Sequence, residues 1–93
     1  FISSINIDNK SHDIHWRLSN VYNLVNKYEL AKASAKNCLE IKRNYAAAYY
    51  ELGLAEKSLG NKVASLAAFE KAKRDRNWRK LSEHQIKYYD ANK

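Results

Sequence analysis

The chain has 93 residues, 45% of them hydrophobic and 29% charged, with a formal net charge of +7 from 17 Lys+Arg against 10 Asp+Glu. That length allows one small domain, and the balance is too apolar for a disordered chain. With no proline and only two glycines, Gly53 and Gly60, the chain lacks the closely spaced turn residues that sheets need, so an all-α fold is expected.

A basic excess points to acidic partners or nucleic acid. However, residues 1–45 carry seven basic and four acidic side chains, and residues 46–93 carry ten and six. The excess is spread along the chain, which argues for a solvated surface rather than a nucleic-acid face. Cys38 is the only cysteine, so an intramolecular disulfide and a Cys-based metal site are both excluded. No apolar run approaches the ~20 residues of a membrane span, and no signal peptide is visible. The compartment is left open.

A 34-residue offset organises the sequence: shifted by that amount, His12–Tyr45 lies over Ala46–Arg79. Leu18 falls on Leu52, Ser19 on Gly53, Val21 on Ala55, Val25 on Leu59, Asn26 on Gly60, Ala31 on Ser65 and Cys38 on Ala72. Small residues meet small ones and aliphatic residues meet aliphatic ones, with helical spacing inside each copy.

In chain order, residues 1–11 come first. Phe1, Ser4 and Ile7 stand one offset before Ala35, Cys38 and Ile41, and are expected to end the second helix of a preceding repeat. The sequence holds no methionine, and the chain is expected to be a fragment of a longer array. Its amino-terminal face is then an exposed, sticky surface open to self-association. Residues 12–45 form the first full copy. Ile14, Leu18, Val21, Tyr22 and Val25 mark one helix, Asn26 and Lys27 a turn, and Leu30, Ala31, Ala35, Cys38, Leu39 and Ile41 a second helix.

Residues 46–79 form the second copy. Tyr49, Leu52, Ala55, Glu56 and Leu59 mark a helix over about Ala46–Leu59, which Gly60 ends in a left-handed conformation. A helix over about Lys62–Asp75 follows, with Leu66, Phe69 and Ala72 on its face. Small residues at Ser19 and Gly53, and at Ala31 and Ser65, allow the two helices of each hairpin to approach closely. Residues 78–91 are expected to form a closing helix. Trp78, Leu81, Gln85, Ile86 and Tyr89 pack down, while Arg79, Lys80, Glu83, Lys87 and Asp90 face water.

Tyr49-x-x-Leu52-Gly53, then Gly60-Asn61, then Ser65, Phe69 and Ala72, resembles the tetratricopeptide repeat family. The first copy is similar through Trp16, Leu18, Ser19, Tyr22, Tyr28, Ala31 and Cys38. Arg43 and Asn77 stand where such repeats often carry proline. The resemblance implies an α-solenoid of stacked antiparallel hairpins with a capping helix at its carboxyl end. It also implies a scaffold that binds a peptide or protein segment in a concave groove lined by the first helix of each repeat.

On that resemblance the groove residues are Asp13, Trp16, Arg17, Asn20, Asn23 and Leu24 from the first repeat. Ala47, Tyr50, Glu51, Leu54, Lys57 and Ser58 come from the second, and Leu81, His84, Gln85 and Tyr88 from the closing helix. Trp16 and Tyr50 are either aromatic anchors for a partner or packing at the joint between hairpins. One variant of the family grips a terminal carboxylate with Lys, Asn and Arg. Asn20 fits that pattern, but Trp16, Glu51, Leu81 and Gln85 depart from it, so an internal or folded partner segment is expected.

Three further features have plainer readings. Lys71, Lys73, Arg74, Arg76, Arg79 and Lys80 could meet nucleic acid or anionic lipid, although such a run usually marks a solvated face. His12 and His15 have the spacing of a helical metal pair, but no third ligand is evident, so surface or capping roles are expected. Cys38 falls where a small residue must pack, which favours a buried, inert thiol. With no Ser–His–Asp order and no glycine-rich phosphate loop, neither an enzyme nor a cofactor carrier is expected.

Overall fold

The computed structural model describes residues 12–91, the last four as backbone only. The expected tail of a preceding repeat, residues 1–11 with Phe1, Ser4 and Ile7, lies outside the described residues. Five helices and no strands occur among the described residues: α1 His12–Leu24, α2 Tyr28–Ile41, α3 Ala46–Ser58, α4 Lys62–Ala72 and α5 Arg76–Ala91.

Alanine, the best helix former, recurs in α3 and α4, and no proline interrupts any helix. The N-caps of α2, α3 and α4 are Lys27, Tyr45 and Asn61, and none of them makes a side-chain capping hydrogen bond. These helices are therefore held mainly by packing. Helix α1 packs on α2 and on α3, α3 packs on α2 and α4, and α5 closes on α4 with a smaller contact to α3. Each helix thus meets its neighbour, and α1, α3 and α5 also meet one another in succession, as in stacked hairpins; the body measures 48 × 27 × 17 Å.

Both hairpins turn in the same way. Asn26 has φ 65° and Gly60 has φ 87°. Lys27 N–H donates to Tyr22 O and Asn61 N–H to Glu56 O, each at 2.8 Å. Asn26 N–H donates to Asn23 O at 3.2 Å and Gly60 N–H to Lys57 O at 3.1 Å. This pair of bonds around a left-handed residue is the Schellman arrangement, repeated one offset apart.

The helix crossings differ in detail. A Cβ on Gly53 would lie 2.6 Å from Phe69 Cε1, and Phe69 is fully buried. Ser65 Oγ donates to Gly53 O at 2.9 Å, so the two backbones are drawn together at this point. In the first hairpin the matching positions hold Ser19 and Ala35, both fully buried, and Ser19 Oγ donates to Trp16 O at 2.6 Å. One crossing pairs glycine with phenylalanine and the other pairs serine with alanine. The core between the helices is otherwise small: Ala31, Cys38, Ala48, Ala55 and Ala72 are fully buried.

Two helix ends depart from the expected positions. Helix α4 stops at Ala72 rather than near Asp75, and α5 starts at Arg76 rather than Trp78. The cause is Asp75, whose Oδ1 accepts the Asn77 N–H at 2.8 Å and so begins a new helix. In the first copy that position is Ile41, which has no acceptor, and α2 runs through it to a turn at Asn44, φ 64°.

The expected packing stripe of α1 also changes. Ile14, Leu18, Val21 and Val25 are exposed, whereas their counterparts Ala48 and Ala55 are fully buried and Leu52 and Leu59 half-buried. The second set lies on α3 and at its C-cap, where the preceding hairpin covers it, whereas among the described residues no helix precedes α1. In α5, Ser82 is buried and Trp78, Gln85 and Ile86 are half-buried, but Leu81 faces water.

Candidate functional site

The first helices of the two copies lie side by side, and the residues they share form a polar seam. Asn20 Nδ2 donates to Glu51 Oε2 at 3.0 Å. Asn23 Nδ2 donates to Glu51 Oε1 at 2.8 Å and to Glu51 O at 3.1 Å. The Glu51 carboxylate is buried, and it is held by amides that reach across from α1. Between α3 and α5 the seam continues, as Lys57 Nζ donates to Gln85 Oε1 at 2.9 Å and Gln85 Nε2 to Tyr50 OH at 3.4 Å.

A depression of about 270 Å³ lies over this seam, lined by Asn20, Asn23, Leu24, Tyr28, Glu51, Leu54, Lys57 and Ser58. Leu24 is 74% exposed at its rim. Asparagines, a carboxylate and an ammonium supply donors and acceptors there, and Leu24 and Leu54 supply apolar surface. Such a mixture suits a peptide backbone and its side chains.

Other expected groove residues lie elsewhere. Asp13 and Arg17 form an ion pair at 3.2 Å near the start of α1, well exposed on both sides and therefore of small energetic weight. Trp16 is half-buried, and its Nε1 is enclosed without a hydrogen-bond partner. The Tyr50 ring lies 5.2 Å from Trp78 and 5.6 Å from Phe69, so it also joins the second hairpin to α5. Ala47 is buried in the core, and His84 is exposed on α5. Tyr88 belongs to α5 by its backbone. Sequence reading did not assign Tyr28 to the groove. It lines the depression, and its hydroxyl donates to Asn26 Oδ1 at 2.6 Å, at the left-handed turn.

The basic run is partly engaged. The Lys71 ammonium sits 5.4 Å from the centre of the Tyr49 ring, and Lys73 pairs with Glu70 at 3.4 Å. Lys71, Arg74 and Asp75 line a second depression of about 310 Å³ with Asn44, Ala46 and Tyr49. His12 lies edge-on to Tyr45 at 4.6 Å, and among the described residues no group of three His, Cys, Asp or Glu side chains is placed to hold a metal. Cys38 is fully buried, and its thiol is pushed up to about 11 by burial, with Asp13 adding to the shift and Lys42 opposing it. At neutral pH it stays protonated and unreactive. Burial likewise raises the Tyr45 hydroxyl above its usual value. No helix among the described residues is long and apolar enough to cross a membrane.

Comparison with protein families matches the tetratricopeptide repeat over residues 12–45 and again over residues 46–74. Comparison with curated proteins and with solved structures returns no match.

Proposed function

The chain belongs to the tetratricopeptide repeat family, and from that premise we propose that it is an interaction scaffold holding a partner segment along α1, α3 and α5. Repeats of this family are generally protein–protein interaction modules and are not catalytic. The observation that carries the groove reading is the shared depression: Asn20, Asn23, Leu24, Glu51, Leu54 and Lys57 come from two helices and line one concavity. Preformed helices keep the ordering cost of binding low.

The test is selection from a displayed library of terminally blocked random nonapeptides, followed by titration onto the chain and its Leu54→Arg variant. Leu54 is half-buried beside the seam, so arginine there obstructs the depression without opening the core. Selected peptides are expected to lose at least tenfold in affinity for Leu54→Arg while helical circular dichroism is retained. An empty selection, or equal binding to both proteins, overturns the reading.

A second reading has its own support. The exposed row of Ile14, Leu18 and Val21 on α1, with Val25 just past its end, corresponds to positions buried or half-buried in the second hairpin, so this face suits assembly. The Lys71–Lys80 run is a poorer basis for a nucleic-acid or lipid surface, because Lys71 and Lys73 already have partners within the fold.

A further inference from the structure

Helix α3 buries two carboxylates, Glu51 and Glu56, and the fold treats them differently. Glu56 has a cation, with Lys32 Nζ 3.4 Å from its Oε1, and it also accepts from Asn61 Nδ2 at 2.7 Å. Glu51 receives only neutral amide donors, from Asn20 and Asn23. Among the described residues no cationic side chain pairs with it. The residue one repeat earlier, Arg17, is turned to Asp13 instead, and the residue one repeat later, Gln85, is neutral. A charge removed from water without a counter-charge is costly, and amide dipoles compensate it only in part. Asn23 adds to the imbalance, because its Oδ1 is a second enclosed acceptor with no donor. Both groups belong to the wall of the same depression.

Resting on the groove reading above, we infer that the partner segment carries a lysine or arginine that seats over Glu51. The groove therefore prefers a basic internal segment to an acidic tail. The chain's own charge of +7 sharpens the inference. A basic segment gains nothing from the surface as a whole, so its preference must come from one local acceptor. Glu51 is then a specificity-determining residue, which sets the sign of charge that the scaffold accepts.

The probe is the set of nonapeptides selected as above. Selection is expected to enrich lysine or arginine at one fixed position. Replacing that residue by glutamine in the peptide should weaken binding about tenfold to the native chain and less than twofold to Glu51→Gln. Circular dichroism and melting of Glu51→Gln are recorded alongside. If that variant does not fold, Asn20→Ala serves in its place: it frees Oε2, and the discrimination between the two peptides should grow. Enrichment of neutral or acidic peptides overturns the inference, and so does an equal loss on the native chain and the variant. Leu54→Arg separates the two levels. If it abolishes binding while the charge swap shows no coupling, the groove stands and the basic preference falls. If it leaves binding intact, both fall.

Discussion

At Gly53 the absence of a single atom decides how closely two helices meet. A Cβ there would reach to 2.6 Å from a ring that is itself fully buried, so a side chain at this position must displace part of the core. Gly53→Leu is expected to cost ~1–3 kcal/mol by overpacking, read as a lower denaturation midpoint. An unchanged midpoint would refute the crossing. This position was legible in the sequence, because Ser19 and Gly53 align as small residues at equal offset. Their partners were less legible: nothing in the pattern says that one crossing uses Phe69 where the other uses Ala35. Such complementarity depends on volumes across the interface, and helical spacing does not record it.

Cys38 carries a second prediction at this scale. Its thiol in the folded chain is raised from the ordinary 9.0 to about 11. The folded form therefore holds its proton where the unfolded form has released it. The stabilising contribution is complete below pH ~9 and is lost as pH rises from ~9 through ~11, on the order of 2 kcal/mol in all. Cys38→Ala, which places there the residue found at Ala72, should flatten the alkaline limb of a stability–pH curve. Equal slopes for both proteins would contradict this assignment. The buried thiol was readable from its alignment with Ala72. The contribution of Asp13 to its ionisation was not, since it comes from a neighbouring helix.

Helix ends tell a similar story at the next level. Gly60 has open space around the position of a Cβ, so the only penalty for a side chain there is the left-handed backbone. Gly60→Ala is expected to destabilise by ~1–2 kcal/mol. Asn26→Gly, at the matching turn, should change stability much less, because asparagine already tolerates that conformation. Paired thermal melts would check both, and an equal response at the two turns would rule out the shared geometry. Gly60 and Asn26 announce themselves in sequence as residues suited to positive φ. Asp75 did not, because its capping bond to Asn77 competes with continuation of α4, and only the local geometry shows which wins. The seam around Glu51 was half visible. Its members follow from the repeat register, but the orientation of two asparagines toward one carboxylate is a tertiary fact.

Across the molecule the first and last described helices differ in character. The α1 end presents Ile14, Leu18, Val21 and Val25, the last two about half exposed at 50% and 53%. The α5 end presents charged residues such as Glu83 and Lys87. If the apolar row is a docking face, Val21→Glu is expected to abolish any concentration-dependent association of the 93-residue chain in sedimentation while leaving its helicity unchanged. Association that persists in the variant would exclude this face. The all-α stacked-hairpin fold was legible from one repeat length. An exposed amino-terminal face was expected from the sequence, but that the stripe of α1 would form part of it was not, since an apolar stripe looks the same whether or not a neighbour covers it.

The unequal crossings carry a mechanical consequence. Helix α3 is gripped on both sides, by α2 and by α4, and the Phe69 ring sits against Gly53 like a tooth in a notch. Helix α1 has no such tooth, and much of its apolar row is open. Under tension applied across the described helices, every joint in the line of force carries the same load, and the weaker joint yields first. Helix α1 would then be expected to peel away while α3 stays locked by Phe69, so the fold would lengthen in steps rather than all at once. A scaffold made this way yields at one end and keeps its grip at the other.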